Sequence, residues 1–162
     1  MNETRMEINP YDYIEYFLTP TANVVSMDKN GRLNVMAVLW KQIGELWHEP
    51  IITIAVSPSR YTFTLLTEGV REFTINIPSK KIMNSIDITG SLSGREVDKF
   101  EKANLETIPG DRTQVPTIKD SILSYECEIV HEVKSGSMAP HHLFFGRILK
   151  AYALKEITEK KN

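Results

Sequence analysis

TANVVSMDKNGRLNVMAVLW, Thr21 to Trp40, reads as two strands and a turn. Runs rich in β-branched and apolar residues flank KNGR, and Asn30-Gly31 is the pairing that lets a chain reverse tightly, because both residues tolerate positive φ. The second run does not end cleanly. Between Arg32 and Gly44 it sets an asparagine, a tryptophan, a lysine and a glutamine among apolar residues, a mixture suited neither to a solvent face nor to a plain core strand.

The same signals recur downstream. IITIAVS is a strand entered from HEP and left at Pro58, and EFTINIP alternates with Phe73, Ile75 and Ile77 on one side. RYTFTLLTEGV spaces Thr62, Leu65, Leu66 and Val70 as a helix does, with Gly69 as its stop. The polar middle, from Ser79 to Gly110, reads as helical in pieces, and REVDKFEKANL is its best helix, with Val97, Phe100 and Leu105 sharing a face. Strands resume in LSYECEIVHEV and HHLFFGRILKAYAL, separated by the polar loop KSGSMAP. About six strands at hairpin spacing with short helices between them predict a mainly β fold, an antiparallel Greek-key barrel with helical insertions. Regular strand–helix alternation, which a doubly wound parallel sheet requires, is absent. One domain over residues 1–162 is expected, with 1–12 and 155–162 as peripheral tails and the charged KEITEKKN frayed.

Composition narrows the function. The chain has 162 residues, 41% of them hydrophobic and 25% charged, and a net charge of −2. That balance lacks the positive field that polynucleotides or anionic membranes attract, so neither partner is expected. No apolar run approaches the roughly 20 residues that span a bilayer, and the N-terminal stretch lacks the pattern of a secretory signal. The single cysteine, Cys127, cannot form an internal disulfide and sits in an alternating stretch as a packed strand thiol. The expected location is a reducing cytoplasm.

Motifs for common chemistries are missing. There is no G-x-G-x-x-G after a strand, no G-x-S-x-G and no H-E-x-x-H. TGSLSG lacks the lysine and hydroxyl pair of a P-loop. His131, His141 and His142 have no cysteine or carboxylate cluster placed with them, so no metal site is expected. SPSRYT stands out, because it sets Ser57, Ser59, Arg60 and Thr62 between a strand and a helix start. Hydroxyls, a guanidinium and free backbone N–H groups there form a phosphate cradle, unless Ser59 or Thr62 only caps the helix and Arg60 is solvated.

Taken in order, PTANVVSMDKNGRLNVMAVLW, HEPIITIAVSPSRYTFTLLTEGVREFTINIP, DITGSLSGREVDKFEKANL, VPTIKDSILSYECEIV and HHLFFGRI resemble the flavin reductase-like family, the FMN-binding split-barrel proteins that include the flavoredoxins. The resemblance runs from about Pro20 to Tyr152. It implies a homodimeric split β-barrel with FMN near the subunit interface. The strand NVMAVLW would line the flavin ring, with Asn34 and Trp40 as contacting side chains and Met36, Ala37 and Val38 as close backbone. An apolar wall with a few placed polar groups suits a planar ring with a polar rim, although Trp40 alone could be a core aromatic. The resemblance places the FMN phosphate at Ser57, Arg60 and Thr62. Lys99 would reach the flavin or its phosphate, or else be a solvated helix lysine. His141, five residues before Gly146, would face the flavin on the nicotinamide side and act on the electron donor, with His142 as the alternative. The implied activity takes electrons from NADH or NADPH through flavin to free flavin or another acceptor. Two alternatives stay open: a flavoredoxin-type electron-transfer protein reduced by a redox partner protein, and a flavin-binding module without turnover.

Overall fold

Thr21–Trp40 does form a hairpin, and its turn is built differently from the expectation. In the computed structural model, which describes residues 4–161, β2 (Ala22–Met27) pairs antiparallel with β3 (Leu33–Val38), Met27 opposite Leu33. Of Asn30 and Gly31 only Gly31 takes a positive φ, of 89°. Asp28 does the remaining work: its Oδ1 accepts hydrogen bonds from the N–H groups of Asn30 and Arg32, both at 2.8 Å.

The run that ends β3 breaks at Leu39-Trp40 and starts again as β4 (Lys41–Leu46), a strand the sequence reading missed. It forms a hairpin with β5 (Glu49–Val56) around Trp47 and His48, which take φ values of 56° and 58°. Two-residue hairpins of this kind favour Asn and Gly, so Trp-His gave no turn signal. The Trp47 ring lies 6.0 Å from both His131 and Phe145, contacts that offset an unfavourable backbone.

The remaining elements in chain order begin with β1 (Arg5–Glu7) and α1 (Ile14–Phe17), which precede β2. After β5 come α2 (Tyr61–Glu68), β6 (Glu72–Pro78), α3 (Ser85–Ser91), α4 (Lys99–Lys102), β7 (Thr107–Ile108) and β8 (Thr117–Ile118). The long strands β9 (Ser121–Lys134) and β10 (His142–Leu154) follow, then α5 (Lys155–Thr158) and a 3-10 turn at Glu159–Lys161. The main sheet is antiparallel with order β3-β2-β6-β9-β10-β5-β4, and β1 pairs with the far end of β10. Strands from both ends of this order share one core: Val24 and Val38 meet Ile52, Ile54, Phe73, Tyr125 and Phe144. The sheet is therefore curled into a split barrel. Irregularities between Phe145 and Gly146 and between Ile148 and Lys150 bend β10.

A second, smaller core of Val25, Val35, Leu105, Val115 and Ile118 covers the other face of β2 and β3. Both faces of β2 are buried, so its side chains do not alternate polar with apolar. Fully buried Glu126 anchors the loop over this side by accepting from the N–H groups of Asp111, Arg112 and Thr113 and from the Tyr152 hydroxyl. Cys127 is fully buried, and burial pushes its thiol pKa well up, as a packed strand thiol requires.

Three further expectations change. REVDKFEKANL yields only the four-residue α4, because the Asp98 carboxylate accepts from the N–H groups of Phe100 and Glu101 and starts the helix there. From Lys155 to Lys161 the C-terminal stretch is helical and α5 sends Ile157 into the main core, while Asn162, part of the expected frayed tail, lies outside the described residues. Near the other end, Arg5–Glu7 is a paired strand. The charged residues around Ile157 hid its anchoring role.

Candidate functional site

Two cavities meet beside β3. The first, of about 180 Å³, lies between β3, the start of α2 and the α3–α4 connection; Asn34, Arg60, Thr62, Arg95 and Lys99 are among its walls. The second, of about 200 Å³, runs along Met36, Ala37, Val38 and Trp40 to Ser57 and His141. Met36, Arg60 and Gly90 line both, so the two are one continuous depression.

The first cavity is cationic. Three basic side chains line it, and among the described residues no carboxylate does. Lys99 is 4% exposed, and its Nζ donates to the Thr89 carbonyl oxygen at 2.8 Å. Burial, and then the Arg60 guanidinium, lower its pKa to about 8. A buried ammonium next to a guanidinium with no counter-charge is costly, and an anion between them would relieve it. Neither Ser59 nor Thr62 caps α2, whose N-cap is Arg60 with no side-chain cap bond, so the capping part of the alternative does not hold, although Arg60 is exposed as that alternative expected. The Thr62 hydroxyl is buried and accepts from Asn34 Nδ2 at 3.0 Å, and its own proton stays free to donate. Ser57 lies apart, its Oγ 2.9 Å from Ser59 Oγ.

The second cavity is an apolar wall with a polar corner. The Trp40 ring is 58% exposed although it packs edge-on against His141, with centroids 4.7 Å apart. His141 Nδ1 is buried without a hydrogen-bond partner among the described residues, so the corner offers an unused polar atom. His142 turns away: it packs on Phe63 and Phe144, and its Nε2 lies 3.8 Å from Glu132 Oε1. His131 sits elsewhere, against Trp47 and Phe145.

Ten of the residues singled out from the sequence line this depression, Asn34, Met36, Ala37, Val38, Trp40, Ser57, Arg60, Thr62, Lys99 and His141, and the alternative His142 does not. Asn34 differs in position from the expectation, since it belongs to the cationic cavity beside Thr62 and not to the wall that carries Trp40. Thr89 to Arg95 form a wall that the sequence reading missed. Its signal was TGSLSG, set aside because it is no P-loop. The glycines there serve close approach: a Cβ on Gly94 would collide with Asn34 Oδ1, and one on Gly90 would stand 3.3 Å from the Ala37 Cβ.

A curled antiparallel sheet with this paired depression at its side defines a split-barrel domain whose depression is cationic at one end and apolar at the other. The model of the flavin reductase like domain matches residues 14–161, and the chain belongs to that family. It is 31% identical over 134 residues to an uncharacterized protein of Archaeoglobus fulgidus, an alignment covering 82% of this chain and 72% of that one. Among solved structures it is similar to the flavoredoxin of Desulfovibrio vulgaris (TM-score 0.74, 28% identity, 85% of this chain and 71% of that one). It is also similar to an FMN-binding protein of Thermus thermophilus solved with bound 1-cyclohex-2-enone (TM-score 0.70, 26% identity, 93% and 79%).

Proposed function

We propose that the chain is an FMN-binding redox protein that moves electrons from NADH or NADPH, through flavin, to free flavin or another acceptor. The observation that carries this reading is the carboxylate-free cationic cavity opening onto an apolar wall with an unpartnered His141 nitrogen. FMN matches both ends, as a phosphate dianion joined to a planar ring with a polar rim. When bound, FMN supplies the electron-transfer chemistry; the protein supplies binding, orientation and electrostatics.

Arg60 and Lys99 would hold the phosphate charge and the Thr62 hydroxyl would donate to its oxygens, whereas Ser57, expected in this cradle, lines the neighbouring apolar cavity instead. Asn34 fixes Thr62 in place through the Nδ2 hydrogen bond. Met36, Ala37, Val38 and Trp40, which line the apolar cavity, would hold the flavin ring and exclude water from it. His141, held against Trp40, orients the electron donor. No side chain needs to act as a nucleophile.

Similarity to a flavoredoxin supports a second reading, an electron carrier reduced by a partner protein. Anaerobic mixing of the FMN-loaded protein with NADH or NADPH separates the two. Bleaching of the flavin supports direct reduction, and its absence with bound FMN supports the carrier. The cradle is tested by Arg60→Ala. Loss of a charge-assisted hydrogen bond of about 1.5–3 kcal/mol corresponds to FMN binding weaker by about 10- to 150-fold, with riboflavin, which has no phosphate, affected far less. Equal losses for both ligands would remove Arg60 from the cradle.

The functional unit we infer is a homodimer. Cavity-lining Ala55 pairs with Leu143, which pairs in turn with Val133, and beside them lie Phe145, His131 and Trp47. Val133 is 43% exposed and Trp47 60%. This apolar sheet face runs directly into the open side of the depression. A second copy seated on it would cover both.

A further inference from the structure

We propose that the cavity bounded by α1, α5, the end of β6 and the start of β9 is a second binding site, for an amphipathic monoanion with a carboxylate on a hydrocarbon body. This site is separate from the depression and does not depend on the flavin reading.

The cavity holds about 790 Å³, within the roughly 300–1,000 Å³ of small-molecule sites. None of the residues expected to hold flavin lines it. Leu154, which does, ends β10 at the opposite extreme from His142. The floor is apolar: Ile157 belongs to the main core, and Tyr16 and Ile122 pack against that core while staying partly exposed. A hydrocarbon chain laid across them would remove their apolar surface from water.

The rim is polar and carries a small positive excess. Lys80, Lys81 and Lys160 stand there against Asp120 and Glu156. Lys81 engages Asp120, with Nζ 2.7 Å from Oδ2. Lys80 and Lys160 have no carboxylate partner among the described residues. One net positive charge fits a monoanion better than a phosphate dianion. No arginine lines the cavity, so the lysine ammoniums act as point charges and not as a fork that matches phosphate. Ser79 adds a neutral donor. It is 7% exposed, and its Oγ has no hydrogen-bond partner among the described residues. A buried hydroxyl left in that state is costly, and a carboxylate oxygen beside it would accept its hydrogen bond. Because α5 and the 3-10 turn supply part of the wall, an occupant would also tie these helices to the ends of β6 and β9 and stabilise the fold.

The test is calorimetric titration of the FMN-saturated protein with decanoate, 1-decanol and decyltrimethylammonium below their micelle concentrations, with thermal melting read in parallel. Decanoate should bind once per chain and raise the melting temperature, decanol should bind about tenfold or more weakly, and the cation should not bind. Lys80 is exposed, so Lys80→Glu should melt as wild type does and keep its FMN affinity while weakening decanoate by about tenfold or more. No decanoate binding, decanol binding as tightly as decanoate, several decanoates per chain, or unchanged decanoate affinity in folded Lys80→Glu would overturn the site. Decanoate that binds only when FMN is absent would overturn it too, because the ligand would then occupy the depression. Should Lys80→Glu fail to fold, Lys160→Glu is read by the same criteria. Protein that binds decanoate as stated but takes up no FMN would overturn the flavin reading and leave this site standing.

Discussion

Lys99 is the side chain on which pH should act most directly. Its folded pKa, about 8, lies below the ordinary 10.5 because of burial and then Arg60. Between those values the unfolded chain binds more protons than the folded one, so the ligand-free protein gains stability as pH rises from about 8 to about 10.5. Below pH 8 the cost of the buried charge is fully present. A bound phosphate reverses the preference by stabilising the ammonium. FMN affinity should therefore be flat below pH 8 and weaken by roughly tenfold or more towards pH 9.5. Titrations across that range check this, and Lys99→Met should abolish the slope. His141 makes a different prediction. Because it lines the apolar cavity and leans on Trp40, His141→Ala should slow flavin reduction by NAD(P)H about tenfold or more with little change in FMN affinity. Stopped-flow reduction alongside FMN titration separates the two effects. Impairment by His142→Ala instead would reverse the assignment, and no effect from either would favour the electron carrier.

At the scale of elements, β10 carries the most tertiary information. It pairs with β9 along most of its length, with β5 at one end and with β1 at the other. Such a strand must bend, and Gly146 lies at the first irregularity, where a Cβ would run into the Phe73 ring and stand 2.9 Å from the Cys127 Cβ. These neighbours are fully buried and have nowhere to move. Gly146→Ala should cost about 1–3 kcal/mol through overpacking, read as a lower denaturation midpoint with an unchanged m-value. The β4–β5 turn has the opposite character, because its aromatic Trp47 occupies a left-handed conformation that asparagine adopts with less strain.

For the whole molecule, that difference tests the dimer. Trp47→Asn removes the most exposed ring from the apolar face and eases the turn at the same time. Folding stability of the monomer should hold while self-association weakens by about tenfold or more, as loss of a central aromatic anchor predicts. Sedimentation over a concentration series reads this directly. A variant that associates as tightly as wild type would move the interface elsewhere. The curl of the sheet is a property of this scale too. Val24 of β2 and Val38 of β3 reach Ile52 and Ile54 only because these strands and β5, four and five positions away in the strand order, come back to one core.

The linear sequence determined most of the strands and the β2–β3 hairpin and marked Ser57, Arg60 and Thr62, because alternation, turn chemistry and a hydroxyl-rich helix start are local properties, whereas Asn34, Met36, Ala37, Val38, Trp40, Lys99 and His141 were implied by the family resemblance alone. The tertiary structure decided what depends on distant neighbours. The Trp47-His48 turn carries no local turn signal and relies on rings from β9 and β10. Ile157 sits among charged residues and becomes a core residue only when α5 docks. Asn34, expected on the wall with Trp40, lies in the cationic cavity because its amide donates to Thr62, 28 residues away. TGSLSG became a cavity wall because Gly90 and Gly94 allow that segment to approach β3 closely, a use of glycine that no phosphate-loop pattern describes.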